Sequence, residues 1–276
     1  MNYTIIDVIN KYSQKELTLI DIIYLCDNNT LTWEIIKNNL QIKWSFKDLS
    51  CHPSITMDIV KENPQYKWDM NFLSSNPNIT MDTIRENPQY KWAFESVSFN
   101  PNITMDIVKQ NPNYDWNYHS LSVNKTLTEK YLLDNINKGW CWNYLSMNPA
   151  FSYEFITNHK DLPWTENIAL NPNFTFEHIK GKFHSTLVSM NPNITMNIIR
   201  KNKDFNWDWY YITCHPNITI HDIKNNPDLP WNSLSISLNR NMTPDVIMNN
   251  PEYKWHIDVV INIGVSFGKK CKKVNL

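Results

Sequence analysis

The sequence predicts an all-α solenoid of about ten 24-residue units, each made of two short helices, and three recurrences support that prediction. A hydroxyl residue recurs at Thr32, Thr56, Thr80, Thr104, Thr128, Ser152, Thr175, Thr195, Thr219 and Thr243, in steps of 24 residues apart from one of 23 and one of 20. Tryptophan keeps a matching beat at Trp44, Trp68, Trp92, Trp116, Trp140, Trp164, Trp207, Trp231 and Trp255. An apolar pair brackets every hydroxyl, as in Ile79/Ile84 or Ile103/Val108. Periods of about 20–50 residues mark stacked supersecondary units, none of which buries its apolar face alone.

The first element of each unit is a helix opened by that hydroxyl, which can accept from an unpaired N–H of the first turn. The bracketing pair has the spacing of a hydrophobic staple. Carboxylates such as Asp58, Asp82 and Asp106 fall in the first turn, where the helix dipole favours them. Pro244, directly after Thr243, suits the first helical position. Asn-Pro, as at Asn63-Pro64 and Asn87-Pro88, stops the helix, because proline pushes the preceding residue out of helical conformation.

The second element reads Trp-x-apolar-x-x-apolar, as in Trp68, Met70 and Leu73. Met70 and Leu73 are three apart and share a helical face, so a second short helix is expected, with the tryptophan on another of its faces. The alternative is a leucine-rich-repeat-like α/β solenoid, for which 24 residues is an ordinary length. Polar residues three after the tryptophan (Asn71, Glu95, His119) stand where that pattern wants leucine, which favours paired helices.

The expected organisation is an N-terminal helical cap over 1–27, the repeats over 28–258, and a C-terminal cap with a basic tail over 259–276. Asn124-Lys125-Thr126 loosens the motif, and Trp140 and Trp142 compete for one position. The Thr175 unit is four residues short, carries Gly181, and has Phe183-His184 in place of the tryptophan motif. It predicts a local kink or changed curvature over 170–195.

A net charge of −1 gives no bulk preference for nucleic acid or membrane. No run of about 20 apolar residues predicts a membrane span. The N-terminus lacks the basic and apolar regions of a signal peptide, so residence in a reducing compartment is expected. The five cysteines are then expected to be thiols.

Cys51-His52 and Cys214-His215 contain the residue types of a zinc set. They recur in units about seven apart, so at roughly 10 Å per helix layer they are expected to lie too far apart to share an ion. Histidine replacing a loop asparagine is the better reading, and no metal or cofactor is expected. The column His52, Asn76, Asn100, Asn124, Asn148, Asn171, Asn191, His215 and Asn239 admits one RNA contact per repeat, but its monotony favours a ladder that satisfies loop backbone. The tryptophan column admits base stacking, but aromatics recurring beside Leu and Ile favour core.

The candidate ligand-facing stripe is Lys37, Lys61, Arg85, Lys109, Lys180, Arg200 and Lys224, the fifth residue after each cap. Such a stripe could follow a phosphate backbone. Each cation also suits its own helix C-terminus, and Glu34, Asp58, Asp82, Asp106 and Glu177 lie three residues before five of them. No Gly-rich phosphate loop, G-x-S-x-G, H-E-x-x-H or C-x-x-C occurs, so no catalytic residues are expected.

The unit Asn-Pro-Asn-Ile-Thr-x-[Asp/Glu]-x-Ile-x-x-Asn-Pro-x-Tyr-x-Trp, followed by Leu-Ser-x-Asn-Pro, resembles tandem repeats in proteins of large DNA viruses, the mimivirus-like and iridovirus-like groups. The resemblance covers about 28–260 and provides no functional residues to transfer. It implies action in the cytoplasm of an infected host cell or carriage in a virion. The expected function is a non-enzymatic scaffold for a host or viral protein. Sequence-tolerant RNA or DNA binding along the basic stripe is the alternative, and a structural virion component the second alternative.

Overall fold

A computed structural model of the chain describes residues 31–41, 44–242, 246–247 and 249–256. The expected N-terminal cap, the Thr243-Pro244 helix start and the basic tail lie outside the described residues. Among the described residues the protein is all-helical, with 17 short α-helices, one 3-10 helix and no strand. The paired-helix reading therefore holds, and the strand-bearing alternative falls. No described helix is long and apolar enough to cross a membrane.

The Thr80 repeat shows how the sequence dictates the unit. Its first helix spans Met81–Glu86, and the Thr80 hydroxyl accepts from the Thr83 N–H at 3.2 Å. The same cap bond recurs at Thr32, Thr56, Thr104, Thr128, Ser152, Thr195 and Thr219, at 3.0–3.5 Å. The staple residues Ile79 and Ile84 are buried, as are Ile55 and Val60 in the preceding repeat. At the helix end the Asn87 side chain folds back, its Nδ2 donating to the Thr83 carbonyl at 2.7 Å. That bond satisfies a carbonyl with no intrahelical partner, so asparagine ends the helix chemically as well as through the following proline.

Tryptophan is placed differently from the sequence expectation. It precedes the second helix rather than occupying one of its faces. Trp68 lies in the extended linker and the second helix spans Met70–Ser74. The reason is the intervening residue, because Asp69 is itself an N-cap, its carboxylate accepting from the Asn71 and Phe72 N–H groups. Ser45, Asn117, Thr165, Asp208 and Asn232 do the same work in their repeats. A helix begins after its cap, so the tryptophan is left outside. Its indole N–H instead donates to the carbonyl of the residue ending the first helix, at 2.8–2.9 Å in all nine tryptophans of the column.

The described residues fall into two compact units. One comprises the described residues through Leu127 with Asn135–Trp140; the other comprises Thr128–Asp134 and the described residues from Cys141 onward. Inside each, successive repeats are joined by the same contacts. In the first unit Asn100 Nδ2 reaches three carbonyls of the preceding repeat, those of Ser74, Asn76 and Ile79, at 3.0, 2.9 and 3.1 Å. The Ser74 hydroxyl accepts from the Ala93 N–H, 19 residues on, at 3.0 Å. In the second unit Asn239 reaches the Thr213, His215 and Ile218 carbonyls, and Thr213 accepts from the Asn232 N–H. Aromatic pairs add to these bonds: Phe94 meets Trp116 edge-to-face at 5.4 Å, and Trp209 meets Trp231 at 5.4 Å. Each such pair contributes about 0.5–1.5 kcal/mol beyond its buried area.

Trp140 and Trp142 do not compete. Trp140 is the linker tryptophan, bonded to the Asn135 carbonyl, whereas Trp142 opens the Trp142–Met147 helix and meets Trp164 at 5.2 Å. The Thr175 repeat takes up its missing residues in the first helix and its exit. That helix is four residues long, Phe176–Ile179, and Gly181 turns the chain in the left-handed region at φ 70°. The ladder survives the deletion: Asn191 Nδ2 still reaches the Ala169 and Phe174 carbonyls at 2.6 and 3.0 Å.

Candidate binding surface

The asparagine column is a buried backbone ladder. Asn76, Asn100, Asn148, Asn171, Asn191 and Asn239 are almost wholly excluded from solvent. Each turn leaves carbonyls pointing inward, and an unsatisfied buried carbonyl costs about 1–3 kcal/mol. The side-chain amide suits this place because its two hydrogens serve the preceding repeat while its oxygen accepts from its own loop. Asn100 Oδ1 accepts from the Asn102 N–H at 2.9 Å. A second asparagine two residues on repeats the pattern nearer the surface: Asn102 Nδ2 bonds the Pro77 and Ile79 carbonyls. These side chains are occupied and present nothing to a ligand.

Both histidines of the column are buried, and His215 is a rung of the same ladder. His215 Nδ1 accepts from the Asn217 N–H at 3.1 Å, which leaves a proton on Nε2, and Nε2 lies 3.1 Å from the Asn191 carbonyl. An imidazole with its proton on Nε2 thus reproduces the donor and acceptor of asparagine. His52 Nδ1 likewise faces the Ser54 N–H at 3.0 Å and the Ser54 hydroxyl at 2.7 Å. Its Nε2 is buried without a hydrogen-bond partner among the described residues. Burial pushes the His52 imidazole down to about 4. Burial also lowers His215, against an opposing contribution from the Asn191 carbonyl.

Cys51, Cys141 and Cys214 are half-buried thiols, and the Cys51 Sγ faces the Asp48 carbonyl at 3.2 Å. Among the described residues no group of three or more His, Cys, Asp or Glu is gathered as a metal site.

Of the basic stripe, four members fall in the first unit (Lys37, Lys61, Arg85, Lys109) and three in the second (Lys180, Arg200, Lys224); all are exposed except Arg200, which is half-buried. Within their own helices, Arg85 pairs with Asp82 at 2.8 Å, Lys109 with Asp106 at 3.4 Å and Lys180 with Glu177 at 2.5 Å. The other two charged contacts reach the next repeat, because Arg200 grips both oxygens of Asp228 at 3.2 Å and Lys224 meets Glu252 at 3.3 Å. Those inter-repeat partners sit in the loop after the following helix, a proximity that i,i+3 spacing does not reveal. Lys37 and Lys61 are exposed, and neither has an ionic partner among the described residues. Exposed pairs are worth about 0–1 kcal/mol, so the paired cations remain available to a competing anion at little cost.

Arg85 also lines an open groove of about 430 Å³ between the first helices of the Thr80 and Thr104 repeats. Asp82, Asn102 and Gln110 line it too, so it is polar and of mixed charge. The guanidinium crosses the repeat boundary to bond Asn111 Oδ1 at 2.9 Å. No protein-family model, no curated protein and no solved structure matches this chain.

Proposed function

We propose that the chain is a solenoid scaffold that binds a protein partner through the outer face of its first helices and performs no catalysis. The observation that supports this reading best is the division of labour along the repeat. The recurring Asn, Ser and Trp side chains are all used in backbone satisfaction between or within repeats, as with Asn100, Ser74 and Trp116. Exposed first-helix positions such as Glu62, Glu86 and Gln110 differ between repeats, as do exposed second-helix positions such as Asn71, Glu95 and His119. Repeat arrays of this kind present extended surfaces whose character is set by those variable residues. The viral resemblance of the motif makes a host or viral protein, met in the host cytoplasm or a virion, the partner of this reading.

A second reading, sequence-tolerant binding of RNA or DNA, draws on one cation per repeat and on the absence of any ionic partner for Lys37 and Lys61 among the described residues. Affinity capture from infected-cell lysate with and without nuclease separates the two. The scaffold reading expects the same captured proteins in both arms, with an interaction mapped by cross-linking to first-helix residues. Capture that disappears with nuclease, together with binding that falls steeply with salt, supports the nucleic-acid reading instead.

A further inference from the structure

At five repeat junctions an aromatic ring packs on the linker tryptophan of the next repeat. Where the residue two after a linker tryptophan is aromatic, it meets the tryptophan of the next repeat: Phe46 with Trp68 at 5.3 Å, Phe94 with Trp116 at 5.4 Å, Tyr118 with Trp140 at 4.9 Å, Trp142 with Trp164 at 5.2 Å and Trp209 with Trp231 at 5.4 Å; Met70, Glu166 and Ser233 hold that place in the other repeats. At the first of these junctions Trp33, the first residue of the preceding first helix, also reaches Trp68 at 6.1 Å; Met57, Met81 and Met105 hold its place in the following repeats. The junction between the Ser152 and Thr175 repeats has neither an aromatic residue two after its linker tryptophan nor a tryptophan in the next linker. Two residues after Trp164 stands Glu166, and the place immediately before the second-helix cap, His184, is held by Phe183 rather than tryptophan. Tyr153, the counterpart of Trp33, turns instead to His178, stacking at 4.0 Å and 17°. Phe183 makes no ring contact among the described residues.

An open groove of about 280 Å³ lies at this junction. Its walls are largely apolar and aromatic, including Tyr153, Ile156, Trp164 and Phe183, and Thr157, His178, Lys160 and Lys182 also line it. No carboxylate lines it, and neither lysine has an ionic partner among the described residues. Flat aromatic walls favour a planar ring, the volume lies at the small end of ligand pockets, and two lysines in the lining favour an anion.

We propose that this groove is a binding site for a planar aromatic anion of indole size, with the ring against its aromatic walls and the carboxylate between Lys160 and Lys182. The site is independent of the scaffold reading, since it arises from one shortened repeat rather than from the outer helical face.

Isothermal titration of the full chain with indole-3-acetate and with tryptamine, which share a ring and differ in the sign of their charge, tests it. Indole-3-acetate is expected to bind about tenfold more tightly, a size appropriate to two nearby cations in partly solvated surroundings. Lys160→Gln/Lys182→Gln should bring the two ligands within about twofold of each other. Phe183→Trp, which returns the missing ring, should abolish binding of both. If Phe183→Trp lowers the melting temperature, the lysine variant, made at exposed positions, decides the matter alone. Equal binding of the two indoles, no binding of either, or an anion preference that survives loss of both lysines would overturn the proposal.

Discussion

The ladder asparagine is the smallest part on which the fold depends, and its chemistry can be tested one atom at a time. Asn100 Nδ2 donates to three buried carbonyls, so Asn100→Asp would place a carboxylate against three oxygens with no donor between them. We expect that variant to lose about 3–5 kcal/mol in urea unfolding. Asn100→His should cost far less, because His215 already performs the same exchange of donor and acceptor. Ladder histidine should also make stability depend on pH. The folded chain holds the His52 imidazole down to about 4, whereas an unfolded histidine titrates near 6.5. Above about 6.5 both states are neutral and nothing changes. As pH falls from there towards about 4, only the unfolded chain takes up the proton, so up to about 3 kcal/mol is lost; below that range the loss levels off. His52→Asn should lessen the fall of the urea midpoint across that interval, with His215 keeping a share of it. A wild-type and variant pair with parallel pH profiles would count against the buried, neutral imidazole.

The first helices were readable because each of their signals is local. A hydroxyl cap, a staple pair and an Asn-Pro stop fall within a dozen residues and act through bonds inside that stretch, as at Thr80, Ile79/Ile84 and Asn87. The second helix was readable as a helix, but its start was misjudged, because the capping role of Asp69 or Asn117 was masked by the more conspicuous tryptophan beside it. What was not legible were the partners 19 to 28 residues away: the Ser74 hydroxyl on the Ala93 N–H, and Arg200 on Asp228. Nor was the aromatic groove, because it lies where the shortened repeat departs from the pattern at Glu166 and Phe183, and a sequence pattern records what recurs more plainly than what departs from it. Two measurements belong at this scale. Ser74→Ala leaves the Ala93 N–H buried and unpaired, and should cost about 1–3 kcal/mol in chemical unfolding. Gly181→Ala should cost about 1–2 kcal/mol. Nothing lies within 4 Å of the position a Cβ would take, so that cost comes from φ 70° alone. A neutral Gly181→Ala would mean that the loop relaxes out of the left-handed region.

At the scale of the molecule, stability is expected to behave as a sum over repeats and the junctions between them, since the inter-repeat hydrogen bonds described above join each repeat to its immediate neighbour. That expectation bears directly on the fold and only indirectly on the proposed scaffold, which needs the outer face to tolerate change. Substitution of exposed first-helix residues such as Glu62 and Glu86 should therefore leave the melting temperature nearly unchanged, as expected for surface positions without special contacts. The central claim is that chemically equivalent residues one period apart are interchangeable partners, so that Asn124, which now reaches the Ile103 carbonyl, could reach that of Ile79 if the intervening repeat were removed. Thermal unfolding followed by circular dichroism tests it in two deletions. Removing residues 100–123, one whole period, should give a helical chain that melts cooperatively, whereas removing only residues 100–111 should abolish the cooperative transition. Loss of the fold on removal of the whole period, or equal tolerance of both deletions, would contradict the account.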